Sequence, residues 1–382
     1  MRILFVSHNP LTQELGAPKV LIELAEEMAK LGCTCRMLQP SDLGMASIHG
    51  FSDQARFSLL LRHYLSLHAG GFDVVDYDHE YLPFPRAEFD SQVLMVARSV
   101  LLVHHLRTIG TPQARGLRAA AGRLFRGRRR KWERDERITR ATRTIQEADV
   151  ANVSNHDDKA ELVRRGLPSG KIVVLPFGMG PQRRRRFDEV SVEVPRQPLV
   201  VFVGTFDYRK GASDFPTIVR EILADVPNAR FRLLGTAGLN RTAEQVLGFF
   251  PAGTRSAMEI RPTFVAEELP DLLADASVGV FPSYFEGFGF GVLEMLAAAV
   301  PVIAYDAPGP PMMLPPEWLV PPGDARGMAA KVAMLLRDRR ELALSRPRAR
   351  DRSRPFDWAR IAGDTIAVYQ TRLNRLRSAR RS

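Results

Sequence analysis

Short apolar runs of β type alternate with amphipathic stretches of helical period along most of the chain, and this alternation narrows the possible folds more than any other feature. RILFVSH (2–8), KVLIELAEEMAKLG (19–32) and CTCRMLQP (33–40) read as strand, helix and strand. That order builds βαβ units around a parallel sheet. FDVVDYD, SVLLVHH, DVANVSN and KIVVLPFG continue the series to residue 178. A second series starts at PLVVFVGTF and runs through NARFRLLGTAG, MEIRPTF and ASVGVFPS to VPVIAYD. Between them PQRRRRFDEVSVEVPRQP (181–198) is polar, basic and proline-containing, and reads as an interdomain linker. The expectation is an α/β protein of two doubly wound domains, residues 1–180 and 199–355. Ligands are expected at the carboxyl ends of the strands and in the cleft between the domains.

A length of 382 residues exceeds what one hydrophobic core normally serves, which agrees with two domains. With 45% hydrophobic and 25% charged residues, the composition excludes a collagen-like or disordered chain. The formal net charge of +11 predicts attraction to anions such as nucleotides, phospholipid headgroups or nucleic acid without choosing among them. Cys33 and Cys35 are the only cysteines. At that spacing on a strand they face the same side and are poorly placed to bridge, so two buried or half-buried thiols and a reducing cytoplasm are expected. MRILFVSHNP lacks the charge pattern and cleavage site of a signal peptide, and no apolar stretch approaches the roughly 20 residues of a membrane span.

Charge is concentrated in ARGLRAAAGRLFRGRRRKWERDERITRATR (114–143), where Leu117, Leu124, Phe125 and Trp132 stand among the arginines. An interfacial element for anionic lipid and a solvated helical face both fit this pattern. A nucleic-acid arm fits less well, because no RNP motif, zinc finger or recognition helix accompanies it.

Two stretches carry chemistry. In FEGFGFGVLE (285–294) three glycines alternate between two glutamates, after one apolar run and before another. The preceding strand should end near Ser283, leaving Tyr284 to Gly291 as a loop that opens a helix. Glycines permit close backbone approach, and a helix start offers N–H groups and a positive dipole end to a phosphate. Glu286 in the loop and Glu294 on the helix suit sugar hydroxyls as acceptors. A tight turn without a ligand and a solvated Glu294 favoured by the helix dipole are the plainer alternatives. In VVFVGTFDYRKGASDF (200–215) a β-type run ends at Gly204 and Arg209-Lys210-Gly211 follow. Two adjacent cations at a strand end suit a departing diphosphate, whereas an ordinary surface turn would leave both exposed.

The order of these residues resembles the nucleotide-sugar domain of the GT-B glycosyltransferases, specifically retaining family 4. The resemblance rests on Gly204 with Lys210-Gly211, Gly235 closing RFRLLG, the E-x7-E pair Glu286 and Glu294 around GFG, and PVIAYDAPG followed by LVPPGD. It holds over residues 199 to 326 and extends to ADVANVSNHDDKAELVRRG and KIVVLPFG in the first domain. FDWARIAGDTIAVYQTRL resembles the family's closing helix, which implies that residues 356–382 cross back onto the first domain.

The resemblance implies GT-B architecture, two Rossmann-like domains facing a cleft, and transfer of a sugar from a nucleoside-diphosphate donor of UDP or GDP type with retained configuration and no metal. It implies that Lys210 and Arg209 hold the diphosphate, and that Glu286 with Gly287, Phe288 and Gly289 engages the donor sugar and its phosphate. Glu294 would take the ribose hydroxyls, and backbone near Phe264 and Val265 would meet the base. SVLLVHH ends where the family has a histidine beside the reacting centre, which implies a catalytic role for His104, with His105 as the register alternative; the catalytic set is His104, Lys210 and Glu286. TQELGAPKV matches the family's glycine-rich first loop at Gly16, with Ala17 in place of a second glycine. Thr205 replaces a frequent arginine and Phe177 a frequent asparagine.

The acceptor follows only by class: a polysaccharide, a lipid-linked glycan or a small molecule, in the synthesis of cell-surface polysaccharide or glycoconjugate. A cytoplasmic protein, peripheral on the inner face of the membrane if residues 114–143 bind lipid, is the matching location, with no nucleic-acid partner. The rival readings are an epimerase or phosphorylase on the same fold, and a non-catalytic nucleotide- or membrane-binding scaffold. A dinucleotide oxidoreductase fits least, since the first strand–helix junction lacks G-x-G-x-x-G.

Overall fold

A computed structural model describes residues 1–12, 16–107 and 117–378, without the side chains of residues 16, 17, 107 and 117–130. The chain divides into two compact units, residues 1–178 with 358–382, and residues 179–357.

The first unit holds a six-stranded parallel sheet of β1 (Arg2–Val6), β2 (Thr34–Leu38), β3 (Val74–Asp78), β4 (Leu94–Arg98), β5 (Val150–Val153) and β6 (Ile172–Val174), in the order β2-β1-β3-β4-β5-β6. β3, β4 and β5 are almost wholly buried, because helices cover both faces and leave no side for polar alternation. The helix Gly16–Lys30 turns Val20, Leu24 and Met28 inward at four-residue spacing. It packs against the terminal helix Trp358–Ser378, whose Trp358 Nε1 donates to Glu23 Oε2 at 2.5 Å. Further along that helix, Tyr369 donates to Asp76 on β3, and Arg98 on β4 grips the same carboxylate at 2.6 Å.

SVLLVHH is not the strand its composition suggests. β4 is the preceding LMVAR, and Val103–Arg107 form a 3₁₀ turn. An apolar run satisfies burial in either form, and here Val103 is buried with Ile138 and Ala141 of the helix Leu117–Glu147 rather than in the sheet.

The second unit repeats the architecture with β7 (Leu199–Val203), β8 (Arg230–Leu234), β9 (Met258–Arg261), β10 (Val278–Phe281), β11 (Val302–Tyr305) and β12 (Leu319–Val320), in the order β12-β11-β10-β7-β8-β9. Part of the stretch that reads as a linker is ordered in this unit. Pro181–Asp188 form a helix that starts on proline, where the missing N–H costs nothing, and bury Phe187. The helix Phe290–Ala297 is buried along its length after its first residue and carries Val292, Leu293, Met295 and Leu296 into the core. Its start lies on the end of β7, for a Cβ at Gly291 would come within 2.2 Å of the Val203 carbonyl oxygen. Among the described residues no helix is long and apolar enough to cross a membrane.

Candidate functional site

Both sheets are doubly wound, and each has one place where successive connections leave in opposite directions. In the second unit that place lies between β7 and β10. The loops after those two strands meet at the carboxyl ends, the usual ligand position in open α/β sheets.

The loop after β7 leads to Arg209 and Lys210, and the loop after β10 to Glu286. All three meet at a single oxygen. Arg209 Nη1 donates to Glu286 Oε1 at 2.8 Å, Lys210 Nζ lies 2.7 Å from it, and Ser283 Oγ donates to it at 2.5 Å. Oε2 receives no hydrogen bond from the described residues. Glu286 is buried, which by itself raises its pKa. The Lys210 and Arg209 charges, with hydrogen bonds from Lys210 and Ser283, outweigh burial and hold the carboxyl below its usual range. Lys210 also sits 4.9 Å from the Phe281 ring centroid, so a cation with little water around it is held between an aromatic face and a carboxylate.

Backbone geometry sets this cluster. Gly211 has φ +80° and a Cβ there would lie 2.3 Å from the Pro282 carbonyl oxygen, so the β7 loop closes directly onto the end of β10. Tyr284 N donates back to the Arg209 carbonyl at 2.8 Å, and Asp207 Oδ1 accepts from Lys210 N at 3.0 Å. Thr205 donates to the other oxygen of Asp207 at 2.8 Å. Asp214 accepts from both Tyr284 and Tyr305 at 2.7 and 2.8 Å, tying the β10 and β11 loops to the helix Phe215–Asp225.

Other expected residues gather around the cluster at different distances. Gly204, at the end of β7, would place a Cβ 3.6 Å from Lys210 Nζ. Gly289 precedes the helix Phe290–Ala297 at φ +95°, within 3.9 Å of Glu286 Cγ on the same construction. Gly287 lies in the loop between Glu286 and Phe288, and Phe288 is buried against Phe290 and Phe356 at centroid distances of 5.3 and 5.4 Å. Gly235, after β8, sits under the ring of Phe264, and the neighbouring Val265 is exposed. Glu294 is in the second turn of the helix and pairs with Arg183, not with the Glu286 cluster.

Ser283, Asp207, Asp214 and Arg183 carry no distinguishing signal in the sequence. Gly309 had one, as the last residue of PVIAYDAPG: a Cβ there would lie 2.8 Å from Glu286 Cβ.

The first unit contributes different chemistry. His104 is 1% exposed in the 3₁₀ turn, with Nε2 2.9 Å from Thr142 Oγ1. His105 faces Asp158 Oδ1 at 2.9 Å, and burial raises the Asp158 pKa against the lowering effect of His105. Gly16 opens the helix Gly16–Lys30, while residues 13–15 of the loop before it lie outside the described residues. A cavity at this sheet's own switch point, between β1 and β3, is lined by Ser7, His8, Asp76, Asp78 and Arg98. Asp78 is flanked there by His8 and His79, each 3.4 Å away.

Of the basic stretch, residues 114–116 lie outside the described residues. From residue 131 onward two of its arginines serve internal partners, Arg137 with Glu80 at 2.8 Å and Arg140 with Ser58 at 2.7 Å. Trp132 is exposed beside Phe51. Cys33 and Cys35 are free thiols, and burial pushes Cys35 up to about 11. Among the described residues no three His, Cys, Asp or Glu side chains form a metal-ligating group.

Residues 197–338 match the family model described as glycosyl transferases group 1. The chain is 26% identical over 350 residues to the MMP alpha-(1->4)-mannosyltransferase of Mycolicibacterium hassiacum, covering 86% of this chain and 77% of the relative. The matches to other curated relatives span 28% to 60% of their length. Sucrose-phosphate synthase from Thermosynechococcus elongatus has the same fold, with a TM-score of 0.73 at 21% identity over 97% of this chain and 98% of that one. Anabaena HepE, solved in complex with UDP and glucose, aligns with a TM-score of 0.63 at 15% identity over 97% and 99%. These likenesses establish two Rossmann-like domains of the kind found in GT-B glycosyltransferases.

Proposed function

We propose, for a chain that carries a glycosyl transferases group 1 domain over residues 197–338, that the whole protein is a retaining glycosyltransferase acting on a nucleoside-diphosphate sugar. The observation that carries the reading is the convergence of Arg209, Lys210 and Glu286 on one oxygen at the switch point of the second sheet. Two cations pre-positioned against a buried carboxylate stabilise negative charge as it develops on a departing diphosphate, with little reorganisation during reaction. UDP or GDP is the expected leaving group. The UDP complex of the similar HepE fold favours trying UDP first.

In this reading the diphosphate takes over Arg209 and Lys210, and Glu286 turns to the hydroxyls of the donor sugar through Oε2, which receives no hydrogen bond from the described residues. The bond from the anomeric carbon to the diphosphate oxygen breaks, and a bond from the acceptor oxygen forms on the same face. The acceptor proton passes to a diphosphate oxygen. Gly235, Phe264 and Val265 border the base, and Glu294 takes the ribose. His104 belongs to the first unit. The exposed Trp132 next to the arginine run supports a membrane-proximal acceptor.

The test is turnover of UDP- and GDP-sugars, read by NMR of the anomeric proton. An axial donor linkage should give an axial product, and Lys210→Ala should lower kcat by about 100-fold, the scale of losing one charge-stabilising donor. An inverted product overturns the retaining assignment, and unchanged turnover in Lys210→Ala overturns the site.

A further inference from the structure

The donor site proposed above gives Glu294 the nucleotide ribose, and the present inference rests on that reading. Glu294 is 8% exposed, on the second turn of the helix Phe290–Ala297. An ionised carboxylate offers about four acceptor positions. Among the described residues this one receives a single side-chain hydrogen bond, from Arg183 Nη2 to Oε1 at 2.7 Å. Oε2 receives none. A charge removed from water with one partner is costly unless further donors complete its shell. Vicinal hydroxyls are the right donors, because they are neutral, paired and small.

Arg183 is the third residue of the helix Pro181–Asp188, which packs against the helix carrying Glu294. Its guanidinium lies 5.8 Å from the ring centroid of Phe187, one turn along the same helix. Its Nε is buried without a hydrogen-bond acceptor, so the pair with Glu294 and the aromatic face fix its direction. The next residue anchors the helix: Arg184 donates to Ser353 Oγ at 2.7 Å and to the Ser353 and Phe356 carbonyls at 3.0 Å. The guanidinium therefore projects from a pinned backbone onto Oε1 of the carboxylate and makes no hydrogen bond to Oε2.

We propose that Arg183 is a positioning residue for the nucleotide: it occupies Glu294 Oε1 and presents Oε2 to the ribose hydroxyls, giving the site its preference for ribonucleotides over 2′-deoxyribonucleotides. A site arranged to accept a hydrogen bond from a hydroxyl discriminates against the analogue lacking it, because the buried acceptor is then left unpaired. Without Arg183 the carboxylate swings between positions and the discrimination falls.

The experiment is calorimetric titration of the full chain with UDP, GDP and ADP, their 2′-deoxy forms and inorganic pyrophosphate. Wild type, Arg183→Ala and Arg183→Lys are compared after circular dichroism has shown equal folding. Wild type should prefer the ribonucleotide by about tenfold, the effect of one hydrogen bond to a charged group. Arg183→Ala should bring the ribonucleotide to within about threefold of its 2′-deoxy form, with Arg183→Lys in between, while pyrophosphate binds all three proteins alike. A preference that survives in Arg183→Ala overturns the inference, as does an equal loss for pyrophosphate, which would mean general damage to the site. If no nucleoside diphosphate binds wild type, the donor-site reading fails with it, an outcome distinct from binding that ignores residue 183.

Discussion

At the scale of single residues, the charges that matter are those whose partners are set by the fold. Asp78, at the end of β3, shows this most clearly. Burial raises its pKa, but the His8 and His79 charges and the hydrogen bond from Glu80 N lower it to about 2. His79 is also shifted: burial pushes it down, and the Asp78 and Glu80 charges bring it above its ordinary value. The signs differ. The depressed Asp78 stabilises the fold above the ordinary carboxylate range near pH 4, and this is lost as pH falls toward 2. The raised His79 stabilises below about pH 6.5 and loses its contribution as pH rises through its folded value. Asp78→Asn should therefore lower stability by about 2 kcal/mol near pH 5, with the gap closing toward pH 2, as read by urea unfolding across that range.

Residue-scale legibility in the sequence was uneven for a physical reason. Glu286 and Lys210 stand at strand ends beside glycines, where backbone geometry and charge coincide in the linear sequence. Arg183 is one of four successive arginines, and only the packing of its helix determines which of them turns toward Glu294.

At the scale of elements, the terminal helix Trp358–Ser378 is held by polar contacts as well as by burial. Tyr369 is fully buried, its hydroxyl donates to Asp76, and Arg98 Nη2 donates to the same hydroxyl at 3.0 Å. Tyr369→Phe keeps the ring and removes the hydroxyl, leaving a buried carboxylate one donor short. It should cost about 1–3 kcal/mol by denaturant midpoint, while Tyr369→Ala should cost more through the cavity as well. Most strands could be read from their apolar runs. SVLLVHH could not, since an apolar segment beside a long helix buries itself equally well as a turn, and β12 has only two residues, too few for a pattern. The helix Pro181–Asp188 was hidden by its polarity, having Phe187 as its one buried residue.

At the scale of the whole molecule, two sheets with a switch point each produce two sites of contrasting chemistry. The second unit sets two cations on a carboxylate at its switch point, and the first sets a carboxylate between two imidazoles. The alternation of strands and helices made the two sheets readable, because each βαβ step constrains its neighbours. Strand order was not readable, since it depends on which edge each new strand joins. At this scale everything turns on whether Arg209 and Lys210 hold a nucleoside diphosphate beside Glu286. The most direct measurement is calorimetric titration of UDP and GDP into wild type, Lys210→Ala and Glu286→Gln, without added metal and at low and moderate salt. One nucleotide should bind wild type, Lys210→Ala should weaken that binding by about tenfold or more, and added salt should narrow the gap. Equal binding by wild type and Lys210→Ala, or no binding of either nucleotide to wild type, would contradict this assignment.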